Sequence, residues 1–255
     1  MLIENARVVI TGGASGLGEA VARRLAAGGA TVTLLDVAVD NGEATARALG
    51  EPAAFVRCDV TRETEVDAAI AAASERMGGI DVAVSCAGVG WPKRLIGKEG
   101  PMSGDFFRKV VEINLIGTLL FVKASAAAMQ RNVPNDDGER GVVVMTASIA
   151  AFDGQIGQVA YSASKGGVVG MTLPMARELA SSGIRVMTVA PGIFLTPMLA
   201  SLPQEVQDSL GRQVPFPPRL GQPGEFAMLV EQICTNPMLN GATIRLDGAI
   251  RMQPR

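Results

Sequence analysis

The chain of 255 residues is 48% hydrophobic and 19% charged, enough apolar content to bury a large core, and its length suits one α/β domain over residues 1–255. A net charge of -2 with an isoelectric point near 5.4 leaves no electrostatic footprint for nucleic acid. The absence of histidine excludes Ser-His-Asp and Cys-His catalysis and histidine-held metals, and Cys58, Cys86 and Cys234 lack the spacing of a zinc site, so no metal is expected.

The opening residues lead from Met1 almost directly into an apolar stretch, with no room for a secretory signal. No apolar run is expected to reach membrane-spanning length, and widely spaced cysteines suit a reducing compartment, so the expectation is a cytoplasmic protein with no membrane partner. In chain order, apolar β-branched runs at Arg7–Thr11, Thr31–Asp36, Ala54–Cys58, Val82–Ser85, Val142–Thr146, Arg185–Val189 and Thr243–Leu246 read as strands, separated by segments of helical period. Strands without polar alternation are covered on both faces, and right-handed crossovers then give a doubly wound parallel sheet of the Rossmann type. Ligands of such sheets bind at the carboxyl ends of the strands. The polar, turn-rich segment from Arg131 to Gly141 reads as an exposed loop.

The first strand runs into Thr11-Gly-Gly-Ala-Ser-Gly-Leu-Gly18, a strand-turn-helix in which Gly12, Gly16 and Gly18 permit the turn and the close approach of a pyrophosphate to a helix N-terminus. Asp36 at the end of the second strand supplies a carboxylate that accepts both ribose hydroxyls and repels a 2′-phosphate. No Arg or Lys occupies Gly13–Ser15 or Val37 to rescue NADP, so the cofactor expected is NAD. Asp59 and Val60, just after the third strand, are placed either to touch adenine or, for Asp59, to cap the next helix; both readings stand.

Tyr161 is the only tyrosine; it follows the end of the fifth strand and Ser148, and it precedes Lys165 by one helical turn. That spacing puts phenol and ammonium on one helix face, where the cation favours tyrosinate. Bringing a phenol of pKa about 10 to neutrality takes about 4 kcal/mol. A desolvated ammonium beside the positive charge of an oxidised nicotinamide can supply it, with Ser148 holding the substrate oxygen.

Taken in order, the glycine turn, Asn114, Ser148, Tyr161-x-x-x-Lys165, Pro191-Gly192 and Thr196 resemble the short-chain dehydrogenase/reductase family over essentially the whole chain. Cys86-Ala87-Gly88, the Arg131–Gly141 loop, Val214-Pro-Phe-Pro217, Arg219-Leu-Gly221 and the ending Leu246–Met252 are similar to its branch that oxidises (S)-3-hydroxyacyl-CoA thioesters and also accepts hydroxysteroids and other secondary alcohols. The resemblance implies that Ser15, Leu17, Asp36, Asp59, Val60, Cys86, Ala87, Gly88, Pro191, Gly192, Phe194 and Thr196 line the NAD site. It further implies that Ser148 orients the alcohol, Tyr161 takes its proton, Lys165 bonds the nicotinamide ribose and Asn114 holds a water. A homotetramer built through the long helices and the C-terminal strand is implied as well. Ser85 departs from the pattern, because an asparagine usually begins the motif ending in Ala87-Gly88.

Two segments, around 90–104 and 193–213, are expected to border the substrate. In the first, Trp91, Lys93, Arg94 and Lys98 either shape a pocket and meet CoA phosphates or belong to a solvated loop. In the second, Met198, Leu199 and Leu202 read as an apolar wall for an acyl chain, with core packing as the alternative. Gln155 is a candidate partner for a thioester carbonyl. Against the acyl-CoA dehydrogenase stand a catalytically retired scaffold subunit and, among enzymes, a hydroxysteroid or other secondary-alcohol dehydrogenase and a 3-oxoacyl reductase, the last of which Asp36 disfavours.

Overall fold

The computed structural model describes residues 1–201 and 203–254. Seven parallel strands form the expected sheet: β1 (Arg7–Thr11), β2 (Thr31–Asp36), β3 (Ala54–Arg57), β4 (Val82–Ser85), then, after a two-stranded hairpin β5 (Ile96–Gly97) and β6 (Gly100–Pro101), β7 (Gly141–Thr146), β8 (Ile184–Pro191) and β9 (Thr243–Leu246). Their order is β3-β2-β1-β4-β7-β8-β9, so the winding reverses between β1 and β4. A reversal of that kind opens a crevice above the strand ends, because the flanking loops leave in opposite directions.

The strands are nearly continuous in Val and Ile because both faces are buried; Val8, Val82 and Val142 stand in register across three of them. Helices α1 (Gly16–Ala27), α2 (Val39–Leu49) and a later α9 (Pro223–Thr235) cover one face, whose core includes Leu25, Leu34 and Phe226. Between α2 and α9 in the chain lie α3 (Glu63–Met77), α4 (Gly104–Val111), α5 (Gly117–Met129) and α6 (Val159–Leu179), of which α3, α5 and α6 cover the other face around Ile70, Phe121 and Val168. One π-helical turn, Glu112–Ile116, joins α4 to α5. Two short helices, α7 (Pro197–Ala200) and α8 (Gln204–Gly211), follow β8.

Three expectations need correction. The loop around 90–104 contains the β5–β6 hairpin, whose two strands are two residues each, with glycine and proline, and too short to carry a strand signal. The Arg131–Gly141 segment is not wholly exposed: Glu139 is buried because Arg185 at the foot of β8 bonds its carboxylate at 2.8 Å, leaving no unpaired charge. The continuous helical run Gly104–Met129, whose most apolar window has a mean hydropathy of 1.6, is long and apolar enough to cross a membrane by length and composition. Packing accounts for much of that hydropathy, since Phe121, Val122 and Met129 are buried between α3 and the sheet.

Candidate active site

The β1–α1 turn is shaped by close backbone contact. Gly12 has φ +66°, and a Cβ there would lie 2.7 Å from the Ala87 nitrogen; one on Gly18 would lie 2.2 Å from the Gly12 carbonyl oxygen. Both positions therefore require glycine, and the tight turn brings the first amides of α1 to the mouth of the crevice, where they favour an anion. Ser15 begins the helix without spending its hydroxyl on a cap. Asp36 stitches two turns together, its Oδ2 accepting from Ala14 N–H (3.2 Å) and its Oδ1 from Ala38 N–H (3.0 Å); it lines the cleft, and each oxygen retains further acceptor capacity.

These residues open onto a cleft of about 800 Å³ at the switch point. Gly16, Leu17 and Gly18 line one wall, with Asp59 and Val60 from beyond β3 beside them. Cys86, Ala87 and Gly88 after β4 form the floor, and Pro191 at the end of β8 with Thr196 beyond it approach from the far side. Asp59 is not a helix cap. Its Oδ1 accepts from the Thr61 N–H and hydroxyl; burial pushes its pKa up, but those two bonds with Arg62 and Arg57 carry it below the usual carboxylate value.

Tyr161 and Lys165 close the other end. α6 presents both on one face, and the Lys165 Nζ lies 6.0 Å from the phenol ring centre while donating to the Thr146 carbonyl at 2.8 Å. The Ser148 hydroxyl accepts from Ala150 N–H at 3.1 Å and lies close enough to the Tyr161 phenol to lower its pKa, so one oxygen both caps a turn and faces the phenol. Asn114 is fully buried behind this cluster; its Oδ1 accepts from Val89 N–H (2.8 Å) and its Nδ2 donates to the Val89 carbonyl (2.9 Å) and to Ser164 Oγ (3.0 Å).

The electrostatics differ from the expectation. Burial pushes the Tyr161 phenol up, only partly offset by Ser148, and burial pulls the Lys165 ammonium down to about 8, with Cys86 opposing. Desolvation thus penalises both charges, which no helical spacing can reveal. Cys86 itself is driven up to about 11 by burial, against Thr146 and Lys165, and is an inert thiol.

Besides Asn114 and Ser148, the anticipated residues Gln155, Phe194 and Gly192 are not part of the cleft wall. Gln155 donates its amide to the Gln253 carbonyl of the C-terminal tail at 2.9 Å. Phe194 is buried edge-on against Phe226, with ring centres 6.5 Å apart, and Gly192 packs where a Cβ would meet the Asp247 Cα at 2.9 Å. Conversely, Lys109, Ile113 and the Thr146 carbonyl were not anticipated. The first two precede Asn114 within five residues on the same helical run, a signal that could have been followed; the carbonyl belongs to the backbone and leaves no mark in the sequence. Trp91 both lines the cleft and pins its loop, 6.5 Å from Phe106 and with Lys109 5.5 Å from its ring centre. Of the proposed apolar wall, Leu202 lies outside the described residues.

The sequence profile of the short chain dehydrogenases matches residues 6–207. The chain belongs to that family. As a short chain dehydrogenase it is an oxidoreductase, and the glycine turn, Asp36 and the uncommitted donors at the start of α1 fit NAD. It is 54% identical to 3-hydroxyacyl-CoA dehydrogenase type-2 of Bos taurus, over 96% of this chain and 95% of the relative. The crystal structure of 3-hydroxyacyl-CoA dehydrogenase type-2 from Mycobacterium avium superposes with a TM-score of 0.93 at 43% identity, covering 98% of each chain. That of 3-ketoacyl-(acyl-carrier-protein) reductase from Brucella melitensis complexed with NADH gives 0.87 at 29% identity, over 98% of this chain and 100% of that one.

Proposed function

We propose that this dehydrogenase oxidises the hydroxyl of an (S)-3-hydroxyacyl-CoA to the 3-oxo thioester, with NAD as the acceptor. The observation that carries the substrate class is the similarity to 3-hydroxyacyl-CoA dehydrogenases type-2 at 54% and 43% identity over nearly the full length. The Ser148–Tyr161–Lys165 cluster supports the chemistry. Ser148 orients the alcohol oxygen by hydrogen bond, and Tyr161, which faces Ser148, takes the alcohol proton. Lys165 holds the nicotinamide ribose, and its charge steadies the tyrosinate; Asn114 holds the water that passes the proton outward. Bound NAD supplies the hydride acceptor and, oxidised, a positive charge near the phenol. With burial alone Tyr161 is held protonated, so the base forms in the loaded site.

The segments around 90–104 and 193–213 border the acyl group on this reading, and the cytoplasm is the compartment. A homotetramer is part of the same proposal. It is supported by Leu119 on α5 and by Val159 and Leu173 on α6, exposed apolar side chains on the long helices. The test is absorbance-monitored turnover of short, medium and branched (S)-3-hydroxyacyl-CoAs, a hydroxysteroid and simple secondary alcohols, with NAD and NADP in parallel. Turnover of the CoA esters with NAD is the expected result. Activity confined to free alcohols or steroids, or dependent on NADP, overturns the substrate or the cofactor assignment.

A further inference from the structure

Ser85 closes β4 where the family usually has asparagine, and its hydroxyl has found other work. Its Oγ lies 3.2 Å from Thr118 Oγ1, and Thr118 Oγ1 donates to the Asn114 carbonyl at 2.8 Å. A hydroxyl carries one hydrogen, so Thr118, having given its own to the carbonyl, must receive the one from Ser85. The direction is therefore fixed from Ser85 to Thr118 to Asn114. Beyond Asn114 the chain continues through its amide to Ser164, whose hydroxyl donates to the Tyr161 carbonyl at 2.7 Å.

Ser85, Asn114, Thr118 and Ser164 are all 3% exposed or less, so no water replaces a lost partner. Asn114 also sits in the π-helical turn, where the regular i→i+4 ladder is interrupted and a carbonyl depends more on outside partners. We propose that Ser85 and Thr118 are positioning residues: two hydroxyls in series fix the Asn114 carbonyl and, through the Asn114 amide and Ser164, the backbone of Tyr161. The proposal rests on Tyr161 being the base.

The experiment compares the full-length protein with Ser85→Ala, Thr118→Val, Thr118→Ser and the Ser85→Ala/Thr118→Val double variant. Readouts are kcat and KM with NAD and (S)-3-hydroxybutyryl-CoA, melting temperature, and ultraviolet titration of the phenol, which reports Tyr161 alone because the chain has one tyrosine. Thr118→Val is expected to lower kcat about tenfold, with KM for NAD within about twofold, on the scale of one buried hydrogen bond. Its phenol should titrate at higher pH as the Tyr161 backbone shifts and the phenol loses the lowering influence of Ser148. Thr118→Ser, which keeps the hydroxyl, should restore both values; Ser85→Ala should show a smaller loss in the same sense, and the double variant should match Thr118→Val, since both act through one path. An unchanged kcat and titration in folded Thr118→Val, a Thr118→Ser as impaired as Thr118→Val, or losses that multiply in the double variant would overturn the proposal. A parent inactive on the CoA ester counts against the substrate reading alone, and the phenol titration still decides the network.

Discussion

At the scale of single residues the site is built against its own stability. Lys165 is 5% exposed and its ammonium is drawn from an ordinary 10.5 down to about 8 by burial, so below pH 8 the fold holds a cation that water would solvate better. The folded value lies below the unfolded one; the cost is therefore fully present below about 8 and is relieved as the pH rises toward 10.5. Its upper bound is about 3 kcal/mol. Lys165→Met, measured without NAD, should melt at higher temperature than the parent at pH 7 and should lose the parent's gain in stability between pH 8 and 10. It should also be inactive, the trade of stability for function common in catalytic sites. A lower melting temperature at pH 7 would mean that the bond to the Thr146 carbonyl outweighs desolvation. The residues of this site were legible in sequence because their roles demand particular side chains at particular spacings: glycine at Gly12 and Gly18, a carboxylate at Asp36, phenol and ammonium one turn apart. Their ionisation was not, because it follows from burial by elements distant in the chain.

At the scale of elements, the seven strands could be read almost to the residue because a sheet covered on both faces demands unbroken apolar β-branched runs. Pro191 was missed as a strand residue, yet β8 continues through it to pair with Leu246. The β5–β6 hairpin and the buried Glu139 escaped because both are set by tertiary partners. α9 illustrates how an element is held by charge. Arg219 bonds both Glu225 oxygens, at 2.9 and 2.7 Å, while Glu225 accepts from the Gln222 N–H in a capping box. Together, led by Arg219, they bring Glu225 down to about 2. A depressed carboxylate contributes stability above its unfolded value near 4.5 and loses it as the pH falls through about 2. Glu225→Gln should thus be less stable than the parent at pH 6, and the difference should shrink between pH 4.5 and 2, as followed by melting temperature. A difference that stays constant across that range would assign the effect to the cap geometry rather than the ion pair.

The whole molecule has more apolar surface than one chain buries. The run Gly104–Met129 has membrane-like hydropathy with 44% of its most apolar window buried. Leu119 and Leu173 remain exposed on adjacent helices. In the proposed assembly a second copy of the chain covering α5 and α6 removes that surface from water, at roughly 25 cal/mol per Å² of apolar area. Sedimentation equilibrium should give the mass of four chains, and Leu119→Glu with Leu173→Glu should shift it to smaller species; a parent that sediments as a monomer contradicts the assembly. The central claim, that one phenol at the end of a nucleotide cleft takes the substrate proton, is tested most directly by Tyr161→Phe. NADH binding, followed by its fluorescence, and turnover of (S)-3-hydroxybutyryl-CoA with NAD are measured on parent and variant. The account predicts unchanged binding of NADH and a loss of kcat of at least about a hundredfold, the scale of a positioned general base. A variant that binds NADH and turns over at the parent's rate would contradict it.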